Sequence, residues 1–196
     1  TCTSLATVAV TQNTATPSVA ASVSNSLTCT NTTITASATT TMTPVSYSWS
    51  GPNITSGAGT GTISLNQPGT YNYTVTNTTS GCKTTGSQAV IQNTATPAVT
   101  ASGSTLNCTF TTVNASASTT MTPVTYNWSC PNITAGAGTG TISLNQPGNY
   151  NYTVTNTSSG CSTTGLQTIP QNTAVPTVTV SGSQTITCAS PTVTLI

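Results

Sequence analysis

The chain has 196 residues and a formal charge of +1, carried by one Lys, with no Arg, His, Asp or Glu. General acid–base catalysis needs a group that titrates near working pH, and a serine nucleophile needs an adjacent base, so enzyme activity is not expected. Nucleic-acid binding is excluded on the same ground, because neutralising phosphates takes several Lys or Arg.

Residues 1–16 end in Gln12-Asn13-Thr14-Ala15-Thr16 ahead of Pro17. The phrase returns ahead of Pro97 and, with Val175 in place of Thr, ahead of Pro176. Residues 43–86 also return at 122–165 with seven differences in forty-four positions. A period this long marks an array of like units. The chain divides into the last strand of a preceding incomplete module (1–16), a module at 17–96, a second at 97–175, and the opening strands of an incomplete third at 176–196. The two end pieces fit either a window on a longer array or a subunit that exchanges edge strands with its neighbours.

Within residues 17–96 the apolar positions alternate with period two, and none repeats with a helical period. A first strand is expected over Val19–Val23 and Ser26–Cys29, and a second carrying Ile34, Ala36 and Ala38 on one face. Tyr47 and Trp49 share a face of a third, opened by Pro44 and closed by Gly51-Pro52. Gly57-Ala58-Gly59 is a turn rather than a phosphate cradle, having neither a Lys nor a following helix. A fourth strand carries Ile63 and Leu65, and Asn66-Gln67-Pro68-Gly69 turns the chain into a fifth with Tyr71, Tyr73 and Val75 on one face. A last strand opens at Cys82 and runs to Val90 and Ile91. The second module repeats the scheme with Trp128, Tyr150 and Tyr152. Trp49 and Trp128 are expected in the cores beside a cystine. One Tyr of each pair is expected to anchor a corner through its hydroxyl while the other packs.

Six or seven short strands, a central Trp and a cystine point to an all-β fold of immunoglobulin-like sandwiches. Cys29 and Cys82 are 53 residues apart, as are Cys108 and Cys161, so one bridge within each module is expected: Cys29–Cys82 and Cys108–Cys161. Cys2 and Cys188 fall at the corresponding places of the flanking pieces. Cys130 replaces Gly51 and breaks the pattern, so it reads as a thiol for an intermodule or intermolecular bridge, or as a lone variant beside Trp128. Cys2 and Cys188 are candidates for such bridges too. This cysteine usage fits an oxidising, extracellular or surface location.

No metal or cofactor site is expected: calcium and magnesium need carboxylates, and the cysteines are too far apart for a zinc set. Lys83 has Ser162 as its counterpart and reads as a solvated surface residue. No apolar run reaches the roughly twenty residues of a membrane-spanning helix. Candidate N-glycosylation sites follow from Asn-x-Ser/Thr at Asn31, Asn53, Asn72, Asn77, Asn107, Asn114, Asn127, Asn132, Asn151 and Asn156.

The pattern Tyr-x-Trp-Ser, then Pro-Gly-x-Tyr-x-Tyr-Thr-Val-Thr-Asn, then Gly-Cys resembles the Ig-like or PKD-like repeats of secreted adhesins in gliding Bacteroidota. The resemblance implies rods of linked domains at the cell surface, acting in adhesion or in extracellular filaments. Such repeats usually carry Asp and Glu, and this chain departs from them by having neither. The expected partners are copies of itself in a linear polymer, with glycans or host surfaces bound through exposed Tyr and Thr faces as the alternative.

Overall fold

The fold comes from a computed structural model that describes Ser4 and residues 6–130, 132–179 and 187–189. Every regular element among these residues is a β-strand. The first seven are β1 (Ala20–Val23), β2 (Ile34–Thr39), β3 (Val45–Ser50), β4 (Ile54–Ser56), β5 (Thr62–Leu65), β6 (Gly69–Asn77) and β7 (Lys83–Val90). They form one sheet in the order β1-β2-β5-β4 and another in the order β3-β6-β7. Lettered along the chain, these are A-B-E-D and C-F-G, the arrangement of a constant-type immunoglobulin sandwich.

The order recurs downstream. β8 (Thr100–Gly103), β10 (Val113–Ser118), β12 (Ile133–Ala135) and β13 (Thr141–Leu144) make a sheet in the order β12-β13-β10-β8. β11 (Val124–Ser129), β14 (Gly148–Asn156) and β15 (Ser162–Ile169) make the facing one. Two short strands, β9 (Leu106–Asn107) and β16 (Gln171–Asn172), pair in parallel, as Leu27 does with Gln92 upstream. β4 and β12 were not expected from the sequence: each is three residues long, too short for alternation to show.

Burial follows the alternation that the sequence presents. β2 buries Ile34, Ala36 and Ala38, and β10 buries Val113, Ala115 and Ala117. These meet Trp49, Tyr71, Val75 and Val90 of the facing sheet in the first core, and Trp128, Tyr150, Val154 and Ile169 in the second. The Tyr71 hydroxyl donates to the Gln67 carbonyl (2.8 Å) and Tyr150 to Gln146 (2.7 Å), which pins the turn ahead of β6 and of β14. Two residues after this tyrosine an antibody domain sets a strand-F cysteine. Here that place holds Tyr73, whose ring lies 5.3 Å from that of Trp49; Tyr152 and Trp128 repeat the pair at 5.3 Å. The tryptophans therefore sit beside an aromatic ring where a cystine was expected.

Each sandwich has a leading and a trailing end. β1 starts opposite the last residue of β2, Ala20 facing Thr39, so the chain comes in where β2 finishes. β6 also finishes at that leading end, because Asn77 faces Val45, the first residue of β3. The loop from β1 to β2 lies at the trailing end, where β7 finishes with Val90 facing Gly69.

Candidate functional site

The chemistry-bearing residues gather at the junction where the trailing end of the first sandwich meets the leading end of the second. Cys29, in the loop between β1 and β2, is bonded to Cys161, in the turn between β14 and β15, across 132 residues, with their Cα atoms 5.1 Å apart. The expected pairs Cys29–Cys82 and Cys108–Cys161 are not formed; Cys82 and Cys108 are free. The reason is geometric. Cys29 stands at the trailing end and Cys82 at the leading end of the same sandwich, and β2 alone separates those ends by roughly 17 Å. A disulfide tolerates a Cα separation of only about 4.4–6.8 Å. Equal spacing in a repeat is equally consistent with pairing to the next unit, and that is the pairing adopted.

The loop and the turn that carry the bond are each held by hydrogen bonds of their own. In the loop, the Thr28 N–H donates to the Asn31 carbonyl (3.0 Å), and the Thr28 hydroxyl accepts from the Asn31 N–H (2.9 Å). In the turn, the Gly160 N–H donates to the Asn156 carbonyl (2.8 Å) with Gly160 at φ +69°, a conformation in which glycine avoids the Cβ clash. The Asn156 side-chain oxygen accepts from the Ser158 N–H (3.0 Å). On contact, the Cys29 N–H donates to the Ser159 carbonyl (3.1 Å) and Thr30 covers Gly160. Cys161 is then 1% exposed and Ser159 0%.

The same turn grips the chain that crosses the junction. The Asn156 side-chain amide donates to the Ala95 carbonyl (3.2 Å), the Ser159 hydroxyl to the same oxygen (3.3 Å), and the Thr163 hydroxyl to the Pro97 carbonyl (2.6 Å). One unit earlier, Asn77, Ser80 and Thr84 hold Ala15 and Pro17 in the same way. Sequence reasoning named Asn77 and Asn156 only as glycan candidates and missed Ser80, Thr84, Ser159 and Thr163. The signal was the recurrence of Asn-x-x-Ser-Gly-Cys 62 and 61 residues after the Ala of Ala-x-Pro, which a search for titratable groups passes over.

The remaining cysteines are dispersed. Cys130 is half-buried, and its thiol donates to the Asn149 carbonyl (3.0 Å). Burial, and then the nearby Cys130, raise the Tyr150 hydroxyl above its ordinary pKa. Cys188 is exposed and free, and Cys2 lies outside the described residues. Among the described residues no group of three or more His, Cys, Asp or Glu is placed to hold a metal ion.

The asparagines separate by environment. Asn31, Asn72, Asn114, Asn127 and Asn151 are exposed; Asn53, Asn107 and Asn132 are half-buried. Asn53 donates to Asn66 (2.8 Å), Asn132 to Gln146 (2.5 Å), and Asn107 accepts from the N–H groups of Thr109 and Phe110. Asn77 and Asn156, each 6% exposed, hold the linkers, and the amide nitrogen that a sugar would take is buried and bonded. The tyrosines of β6 and β14 face the cores. A concavity of about 420 Å³ beside β1, lined by Ser18, Val19, Ala20, Thr39, Thr40 and Thr41, holds no ionisable side chain.

No family model matches the chain, and no curated protein matches it in sequence. Solved structures with a distant likeness include a C-terminal 282-residue fragment of intimin in complex with the intimin-binding domain of its translocated receptor. The match is 14% identical with a TM-score of 0.40, and it covers 78% of this chain and 64% of that one. Murine CEACAM1b matches at 9% identity and TM-score 0.37, covering 79% of this chain and all of that one. The BSP domain of a biofilm-associated protein matches at 14% and 0.25, covering 82% and 30%. The immunoglobulin-like assignment rests on the strand order.

Proposed function

We propose that the chain is a structural, adhesive extracellular repeat protein. Its immunoglobulin-like modules, at 17–96 and 97–175, form a stalk or a self-assembling surface filament. The observation that carries this reading is the junction: one sandwich is fixed end-on to the next by a disulfide, by Thr30 over Gly160, and by three hydrogen bonds to the crossing chain. A fixed end-to-end relation, repeated, generates a line. The near absence of charged side chains supports action through shape and contact, and a disulfide supports an oxidising exterior. The glycan-binding alternative loses its aromatic platform, because Tyr71 and Tyr150 are buried while Tyr73 and Tyr152 pack on tryptophan.

Negative-stain imaging of the oxidised protein, with small-angle scattering at several concentrations, tests this. Rods one sandwich wide that lengthen with concentration support a filament, and rods of constant length support a stalk. Compact particles with the two sandwiches side by side would refute both.

A further inference from the structure

The chain carries both halves of a second junction, one at each extremity. The turn between β6 and β7 matches the receiving turn at Cys161 in detail. The Gly81 N–H donates to the Asn77 carbonyl (2.8 Å), as Gly160 does to Asn156, and Gly81 sits at φ +73° against +69°. The Cys82 N–H donates to the Ser80 hydroxyl (3.3 Å), as Cys161 does to Ser159. What differs is occupancy. Among the described residues nothing lies within 4 Å of a Cβ placed on Gly81, whereas one on Gly160 would lie 2.4 Å from Thr30. Ser80 and Cys82 are half-buried where Ser159 and Cys161 are fully covered.

At the other extremity the loop between β9 and β10 repeats the one that carries Cys29. The Asn107 N–H donates to the Phe110 carbonyl (3.1 Å), as Thr28 does to Asn31. Asn107 Oδ1 accepts from the Thr109 and Phe110 N–H groups at 2.8 and 2.7 Å, taking over from the Thr28 hydroxyl. Thr109 follows Cys108 as Thr30 follows Cys29, and Phe110 stands 62% exposed beside them. A lone free thiol would say little. Here each is set in a preformed surface whose twin elsewhere in the same chain is already engaged.

We infer that the Cys108 loop of one copy of this chain docks on the Cys82 turn of the next and forms a disulfide with it, linking copies head to tail. Pairing inside one molecule is ruled out by distance: Cys82 is at the leading end of the first sandwich and Cys108 at the trailing end of the second. Nine-residue strands make each sandwich about 25–30 Å long. Because donor and receiver are different surfaces, the contact is head to tail, and each copy added leaves one half free for the next. The bond forms by exchange with a small-molecule disulfide. The Cys108 thiolate attacks it and releases one thiol; the Cys82 thiolate of the next copy then attacks the mixed disulfide and releases a second. The inference deepens the filament reading and rests on it.

The test uses the full chain with Cys2, Cys130 and Cys188 replaced by Ser, oxidised with glutathione disulfide at rising protein concentration and run on non-reducing gels. A ladder is expected that collapses to monomer on reduction, with a Cys82–Cys108 cross-linked peptide in its digest. Adding Cys82→Ser or Cys108→Ser should leave monomer. An equimolar mixture of the two should stop at dimer, since each has one usable half. Intact mass confirms that Cys29–Cys161 persists in every variant. A wild-type digest linking Cys82 to Cys188 or Cys130, or the absence of covalent oligomers, would overturn the inference. Filaments that persist by imaging without that cross-link would defeat only the covalent link and leave the proposed function standing.

Discussion

Gly160 lies against Thr30 so closely that a Cβ added to the glycine would sit 2.4 Å from the threonine Cγ2. Its counterpart Gly81 has the same positive φ and open space around it. The two glycines thus separate backbone strain from docking. Gly81→Ala should cost about 1 kcal/mol, the penalty for a side chain at left-handed φ. Gly160→Ala should cost as much and also force the junction apart, lowering the yield of Cys29–Cys161 on refolding. Thermal melts with thiol counting check both, and equal disulfide yields in the two variants would show that the contact does not guide the pairing.

Opening the Cys29–Cys161 bond should free the junction without unfolding either sandwich, because the two cores have no residue in common. Cys29→Ser is therefore expected to keep the parent far-ultraviolet dichroism. Scattering should broaden toward a hinged particle, and proteolysis between residues 91 and 97 should speed up. Loss of β-structure in proportion to the missing bond would contradict this.

Tyr71→Phe and Tyr150→Phe each remove one hydroxyl from a buried corner and leave the Gln67 or Gln146 carbonyl without that donor. The expected cost is about 1–3 kcal/mol in each case, borne by the sandwich that holds the residue. Urea titration measures it, and an unchanged midpoint would remove the corner from the account of stability.

The chain has no Asp, Glu or His, the side chains that ordinarily titrate between pH 2 and pH 7. The linkage that drives acid unfolding is missing, so the melting temperature should shift by less than about 10 °C over that range. On the alkaline side the sign reverses. Tyr150 holds its proton more tightly folded than unfolded, through burial and then the neighbouring Cys130. Its contribution is therefore whole below the ordinary tyrosine pKa near 10 and is lost as the pH rises through the raised folded value. Cys130→Gly takes away the second cause, so tyrosinate absorbance should titrate slightly earlier than in the parent.

Produced in a host that glycosylates asparagine, the chain should carry sugar among the exposed Asn31, Asn72, Asn114, Asn127 and Asn151, and none at Asn77 or Asn156. Glycopeptide mapping decides this. Occupancy at Asn156 would require a junction unlike the one described.

Much of the sandwich was legible from residues that report on one face of a strand: Ile34, Ala36 and Ala38, or Tyr71, Tyr73 and Val75, alternate because one side is buried. The corner tyrosine was legible because Pro-Gly fixes the turn just ahead of it. The disulfide partner was not, since a repeat assigns Cys29 and Cys108 the same address and leaves open which unit supplies the mate. Only the direction of β2, which carries Cys29 away from Cys82, decides it. The linker clamp escaped for another reason: Asn77, Ser80 and Thr84 are ordinary turn and strand residues until Ala15 and Pro17 are seen lying across them.

The backbone through Ala95 and the cystine at Cys29 cross the junction side by side. Two covalent crossings at one junction resist torsion and splitting. Under tension they share the pull, so a stretched assembly of these units would hold its length.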